Sequence, residues 1–196
     1  MSAPEESESE SSLLEQARRG SVSAFEQIVR RYQRRVYATA YRIVRRHEVA
    51  DDVAQEAFIR AYRSLDRFDP GRPFGPWICR IAANLAVNHV RSPAAREDAL
   101  PDGHAETPSA APGPLQGVLD AEARTMLERA LGELPTEQRA VFCLRVFDEL
   151  SYREIADALG IEMGTVMSRL SRAREKLREA LAPYLAAAPR RAGSQP

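Results

Sequence analysis

Apolar residues recur at intervals of three and four from Phe25 onward: Phe25, Ile28, Val29, Tyr32, Val36, Ala40, Ile43 and Val44. That period predicts a long amphipathic helix, with Ser21 or Ser23 as its cap. Its other side is basic, with Arg30, Arg31, Arg34, Arg35, Arg42, Arg45 and Arg46 forming an outer face. A short helix is predicted before it, from Leu13 to Arg19, ending at Gly20. The next helix runs from Val49 to Leu65. Val53, Ala57, Ala61 and Leu65 form its inner stripe, flanked by Ile59 and Tyr62, and Asp51, Asp52 and Glu56 suit the dipole of its first turns. The stretch 68–76 (FDPGRPFGP) then combines turn formers with two aromatics and reads as a loop. Trp77 to Val90 is helical again, with Ile78, Ile81, Ala82, Leu85 and Val90 inward, and it stops at Ser92-Pro93.

Residues 92–114 hold five prolines and no apolar period, which marks a linker. Helical patterns resume over Leu115 to Leu131 and after Leu134-Pro135, where Thr136 is a candidate N-cap and Val141, Phe142, Leu144 and Val146 make the apolar face. The stretch from Leu150 to Leu177 reads as two short helices around a tight turn. Ser151 caps Tyr152–Leu159, with Glu154 as its capping-box partner. Gly160 supplies the break, Ile161 plugs the turn, and Gly164 and Thr165 open the second helix with Thr165 as a candidate cap. Ile155, Ala156, Leu159, Ile161, Val166, Leu170, Ala173 and Leu177 share one apolar face. This is a helix-turn-helix pattern, whose second helix is the one that enters a DNA major groove.

No period-two strand pattern and no long repeat is present. The expected fold is all-α: two small helical domains joined by a flexible linker, the C-terminal one a helix-turn-helix. The expected boundaries are an acidic disordered tail over 1–20, a first domain over 21–92, the linker over 93–114, a second domain over 115–185 and a tail over 186–196. Within these, residues 1–12 are expected to be disordered and the chain to fray from Pro183.

The net charge of zero conceals a segregation. Residues 25–91 carry 13 basic and 7 acidic side chains, and residues 165–196 carry 7 and 2, while residues 115–164 carry 5 and 10. Two basic blocks set apart by acidic scaffold suggest contact with nucleic acid at two places. No apolar run is long enough to span a membrane, and the acidic, Ser-rich start is neither a secretory signal nor a transit peptide. Cytoplasmic location is therefore expected. Cys79 and Cys143 each fall inside an apolar helical pattern, without disulfide or zinc spacing, and the three histidines are scattered. No nucleophile–base pair, phosphate-cradling glycine loop or paired carboxylates suggest catalysis. The expectation is no enzyme, no cofactor and no metal.

Three stretches in this order, DDVAQEAFIRAYRSLDRF (51–68), FGPWICRIAANLAVNHVR (74–91) and the helices of 134–181, resemble bacterial sigma factors of the extracytoplasmic-function type. The resemblance covers roughly residues 20–185. It implies a subunit that binds core RNA polymerase, directs it to promoter DNA and helps open the −10 region. It implies core polymerase contact through Asp52, Gln55, Glu56, Phe58 and Tyr62. It places −10 recognition and strand opening at Phe68, Phe74, Arg80, Asn84, Asn88 and Arg91, where aromatic faces and hydrogen bonds offset the loss of base stacking. Trp77 is expected in the core. Recognition of −35 falls to the second helix of the helix-turn-helix: Met167, Ser168, Ser171 and Arg172 for bases, Arg169, Arg174 and Lys176 for phosphates, Thr165 in the same DNA-binding set, and Arg153 clamping the backbone. Arg172 suits a bidentate guanine contact, whereas Met167 departs from the basic residue often found there and suits a thymine methyl. An anti-sigma factor is a further partner that the resemblance implies. The alternative function is a helix-turn-helix regulator that binds operators without being a polymerase subunit. A pure interaction protein is the third reading, but it leaves the basic helix after Gly164 without DNA to bind.

Overall fold

The computed structural model describes residues 9–92 and 121–187. The N-terminal half comprises α1 (Glu10–Arg18), α2 (Val22–Val44), α3 (His47–Arg63) and α4 (Phe74–Arg91), with a 3-10 turn at Leu65–Arg67. The C-terminal half comprises α5 (Ala121–Gly132), α6 (Thr136–Val146), α7 (Tyr152–Leu159) and α8 (Met163–Ala187). No strand occurs among the described residues, in keeping with the all-α expectation.

Local chemistry explains where the helix ends depart from expectation. The Ser9 hydroxyl accepts the Ser12 amide, so α1 starts at Glu10, inside the stretch expected to be disordered. Ser21, not Ser23, caps α2 by accepting the Ala24 amide. The third helix begins at His47, which leaves Asp51 and Asp52 in its second turn. The fourth starts at Phe74 rather than Trp77, because Pro76 falls in the first turn, where a missing amide proton costs nothing. Gly75 suits this crossing of α2 and α4: a Cβ there would lie 2.8 Å from Arg35 Nη1 and 3.0 Å from Tyr32 Cε1, and both side chains would have to shift.

In the C-terminal half, Pro135 holds the cap position of α6, and Thr136 is the first helical residue rather than the N-cap. The amides of Thr165 and Val166 both donate to the Glu162 carbonyl. Thr165 therefore lies inside the first turn of α8 and does not cap it. The last helix also continues through Pro183 to Ala187 instead of fraying there, with Leu181 packed against the C-terminal cluster. The helix expected from Leu115 is seen from Ala121; the linker over 93–114 lies outside the described residues.

Apolar burial is divided among three clusters. One is confined to the N-terminal half and includes Leu13, Ile28, Val36, Phe58, Phe74 and Ile78. Another is confined to the C-terminal half, around Leu131, Leu134, Cys143, Ala173 and Leu177. The third crosses between them: Ala40, Ile43, Ala83 and Val87 pack with Val141, Leu144, Leu150, Ile155 and Leu159. The two helical domains are thus in direct contact through this shared cluster. Small residues on α4, Ala83 and Ala86, let the C-terminal helices come close.

Charged groups line the same seam. The predicted basic outer face of α2 is only partly outer. Arg42 is buried and its guanidinium lies 4.1 Å over the Phe147 ring, while Arg42 and Arg45 pair with Glu128 at 3.4 and 3.3 Å. Arg139 on α6 is buried as well. Its Nη2 donates to the Ile43 carbonyl at 2.7 Å, and its Nη1 to the carbonyls of Leu134 and Gly132 at 2.9 and 3.3 Å. These carbonyls stand at or just beyond the C-terminal ends of α2 and α5, where no intrahelical donor remains. One guanidinium fork therefore caps a helix in each half, and burial holds its pKa below the usual arginine value.

Replacing Arg139 by Ala leaves several buried carbonyls without donors, at about 1–3 kcal/mol for each group left unsatisfied. Arg139→Ala is expected to lower the unfolding free energy by about 2–4 kcal/mol in urea titration. Arg139→Lys, which cannot fork, should recover only part of it.

Candidate nucleic-acid interface

The helix-turn-helix is built as its sequence dictates. The Ser151 hydroxyl accepts the Glu154 amide, and a Glu154 carboxylate oxygen accepts the Ser151 amide at 2.8 Å, completing the capping box. The Ser151 hydroxyl also donates to that carboxylate, and this bond first and the amide second hold the Glu154 carboxyl below its ordinary range. Gly160 ends α7 in the left-handed region with φ at 61°, which only glycine adopts without strain. Val166, Leu170, Ala173 and Leu177 are buried, which fixes the rotation of α8. Its opposite side is exposed: Ser168, Ser171, Arg172, Arg174 and Lys176, with Met167 at 53% exposure. Arg153 is exposed at the start of α7. Thr165 and Arg169 are half-buried; the Thr165 carbonyl accepts the Ser168 hydroxyl, and Arg169 Nη1 is buried without a partner.

A second exposed strip lies on α3. Asp52, Gln55, Ile59 and Tyr62 are exposed at spacings of three or four, and half-buried Glu56 pairs with Arg60 at 2.7 Å. Phe58 does not belong to this strip. It is 8% exposed and packs edge-on to Phe25, because it points with Ala57 and Ala61 toward the N-terminal core.

The loop between α3 and α4 differs most from expectation. Phe68 is 3% exposed and Phe74 is 0% exposed. Their rings meet at 5.5 Å, and each meets half-buried Trp77, at 4.9 and 5.4 Å. Neither phenylalanine offers a face to an unstacked base here; together they form the core of the loop, and Trp77 joins that core. Arg18 on α1 braces it from behind, donating to the Leu65 and Phe68 carbonyls. The loop borders a cleft of about 410 Å³ whose walls include Arg67, Arg72, Trp77 and Arg80 on one side and Leu150 and Glu154 on the other.

Farther along α4, Asn84 donates to the Ala158 carbonyl of α7 at 2.6 Å and accepts from Asn88 at 2.6 Å. Arg91 faces Glu137 at 3.9 Å. The structure therefore keeps Asn84, Asn88 and Arg91 on one helix, with Asn84 and Arg91 facing the C-terminal half and Asn88 exposed beside Asn84. A buried polar knot that the sequence did not reveal also crosses between the halves. Asp148, 1% exposed, accepts from the Thr39 hydroxyl at 3.0 Å and from Arg35 Nε at 3.3 Å, beside Cys79. Burial pushes the Cys79 thiol well above its usual range and the Cys143 thiol to about 12, so both remain inert thiols.

The Sigma-70 region 2 family matches residues 28–96, and the Sigma-70 region 4 family matches residues 124–177. The chain is 36% identical over 176 residues to the ECF RNA polymerase sigma factor SigW of Bacillus subtilis, covering 86% of this chain and 94% of that protein. It is 37% identical over 181 residues to the ECF RNA polymerase sigma-E factor of Escherichia coli, covering 88% and 94%. This chain belongs to the extracytoplasmic-function sigma factors. Against SigE of Mycolicibacterium smegmatis it is 38% identical over 165 residues, 84% of this sigma factor but 64% of the relative's length. The fold is similar to two solved structures. One is CnrH in complex with the cytosolic domain of CnrY, with a TM-score of 0.58 and 30% identity over 89% of this chain and 97% of that one. The other is the sigma factor RpoE in complex with the anti-sigma factor NepR from Bartonella quintana, with a TM-score of 0.59 and 28% identity over 82% and 98%. Membership sets aside the operator-binding alternative, since the relatives are named as polymerase sigma factors.

The Asp148 knot has a definite pH signature. Burial raises its carboxyl pKa above the ordinary 3.8, and nearby Arg35, Cys79, Thr39 and Arg42 oppose that rise without cancelling it. The folded state therefore holds this proton more tightly than the unfolded chain. The favourable contribution is complete below about 4 and is lost as pH rises through the raised value. In urea titrations from pH 4 upward, Asp148→Asn should gain stability relative to the native chain as pH rises. A constant or opposite trend shows that Arg35 outweighs burial.

Proposed function

We propose that this sigma factor binds core RNA polymerase, directs it to promoters and helps separate the strands at −10, acting in the cytoplasm. It is an initiation factor and not an enzyme. The observation that supports this most strongly is the pairing of two exposed strips on opposite halves. One is the acidic and apolar strip of α3 in the region 2 match; the other is the basic face of α8 in the region 4 match.

In this reading residues 21–92 form the unit that binds polymerase and −10 DNA, and residues 115–185 the unit that reads −35. Asp52, Gln55 and Tyr62 contact the core enzyme, with Ile59 adding apolar area at the centre of the strip. Met167, Ser168, Ser171 and Arg172 face base edges, and Arg153, Arg174 and Lys176 hold phosphates. Half-buried Arg169 reaches a phosphate from the edge of the same face. Asn84, Arg80, Asn88 and Arg91 serve −10, while Phe68 and Phe74 act as the support of the loop. An anti-sigma factor is a further partner, as in the RpoE–NepR complex.

The test is reconstitution with sigma-free core polymerase on a promoter library, where promoter-dependent transcripts are expected. Footprints on operators by the protein alone, with no such transcripts, would reject the reading. On a dependent promoter, Arg172→Ala should lower output about tenfold or more, through loss of a base contact of about 1–3 kcal/mol. Changing the −35 guanine should then cost the variant no further activity. Asp52→Ala combined with Gln55→Ala should weaken core binding in a pull-down while leaving the circular dichroism spectrum intact.

A further inference from the structure

None of the three functional surfaces lies on α1, yet α1 is tied to the loop between α3 and α4 at both of its ends. The Sigma-70 region 2 match begins at residue 28, beyond this helix. Burial of Leu13, Leu14 and Ala17 seats α1 in the N-terminal cluster. That places Arg18, its last residue, half-buried behind residues 65–68. Arg18 Nε donates to the Leu65 carbonyl at 3.0 Å, and its Nη2 donates to the carbonyls of Asp66, at 3.4 Å, and Phe68. At the other end of α1, Glu10 accepts the Tyr32 hydroxyl, and the Tyr32 ring lies 5.3 Å from Phe74. The helix therefore holds the backbone on one side of the loop and, through Tyr32, reaches the aromatic residue on the other.

The loop's own backbone bonds are local. The Gly71 amide donates to Asp69 Oδ1 at 2.9 Å, and the Arg72 amide donates to the Asp69 carbonyl at 3.0 Å. Those bonds shape the turn without fixing its direction relative to the helices. Direction is set at residues 65–68, where one guanidinium takes three carbonyls within four residues. A lysine there offers a point charge without the planar fork. A DNA strand that leaves its duplex gives up stacking, and protein contacts must offset that loss. Ordering the loop at the moment of binding would subtract from those contacts, so a loop already held in place binds the strand more tightly.

We propose that Arg18 is a positioning residue for −10 recognition: by holding the Leu65, Asp66 and Phe68 carbonyls it fixes the loop, and with it Trp77 and Arg80 on α4, in the arrangement that meets the displaced strand. This rests on the reading of the loop and α4 as the −10 surface. Arg18 stands behind the loop and acts through it, without touching DNA. Phe68 carries the constraint onward, since Arg18 holds its carbonyl and its ring lies 4.9 Å from Trp77. Loss of Arg18 leaves the α3 strip and the α8 face as they are and weakens the −10 contacts alone.

Two measurements on the full chain test this. In the free protein, half-buried Trp77, the only tryptophan of the chain, reports on the loop. Arg18→Ala should make its emission about twofold more quenchable by acrylamide, because a loosened loop admits the quencher. Unchanged quenching overturns the proposal. With core polymerase, the variant should transcribe a dependent promoter about tenfold less than the native chain, with unchanged core binding in a pull-down. The deciding readout is the promoter element to which the loss belongs. Scrambling −10 should lower output about tenfold for the native chain and about twofold at most for the variant, whereas changing the −35 guanine should affect both alike. A general folding defect lowers output with both sensitivities kept. That result, or an output equal to the native chain's, overturns the proposal. Arg18→Lys, which keeps the charge but not the fork, should fall between the two. If Arg18→Ala does not fold, Arg18→Lys is read by the same quenching and the same −10 ratio. Failure of the sigma-factor reading is distinguishable: the native chain then gives no promoter-dependent transcript, while Trp77 quenching still reports whether Arg18 holds the loop.

Discussion

Arg139 ties the structure together at the point where three helices meet. Carbonyls at the end of α2 and around the end of α5 converge on its guanidinium, and no other donor reaches the Ile43 carbonyl among the contacts described. The planar fork suits this work, since it donates in two directions at once while its charge complements the negative ends of both helices. Burying such a charge costs solvation, as its lowered pKa reflects. The drive to bring the halves together therefore comes from the apolar cluster around Val141, Leu144 and Leu150. The charges are matched across that contact, with Arg139, Asp148 and Glu128 each meeting a partner in the other half.

That division of labour shapes the functional surfaces. Interactions within each half, such as the capping box of α7 and the aromatic knot of Phe68, Phe74 and Trp77, make rigid supports. Interactions between the halves decide which supports are accessible. The exposed face of α8 owes its exposure to the burial of Val166, Leu170 and Ala173 on its other side. Alanines on α4 allow close packing, and Asn84 is drawn into the contact.

Much of this was written locally in the chain. The period of three and four along α2, the Ser151–Glu154 pair, the left-handed Gly160 and the apolar stripe of α8 depend on neighbours a few residues away, so the sequence determined the helices, the helix-turn-helix and the exposed face of α8. It also determined family membership, because three motifs in order specify a surface chemistry that spacing alone preserves. What it did not determine were the packing partners of particular side chains. Arg42 and Arg45 read as solvent-facing, and the structure sets both against Glu128. Phe68 and Phe74 read as aromatic faces for unstacked bases, and the structure packs both against Trp77. Asn84 read as a DNA contact, and the structure adds its donation to the Ala158 carbonyl. Helical period reports which side of a helix is apolar, but not whether a polar side meets water, nucleic acid or the far half of the same chain, and that choice was left to the packing of the two halves.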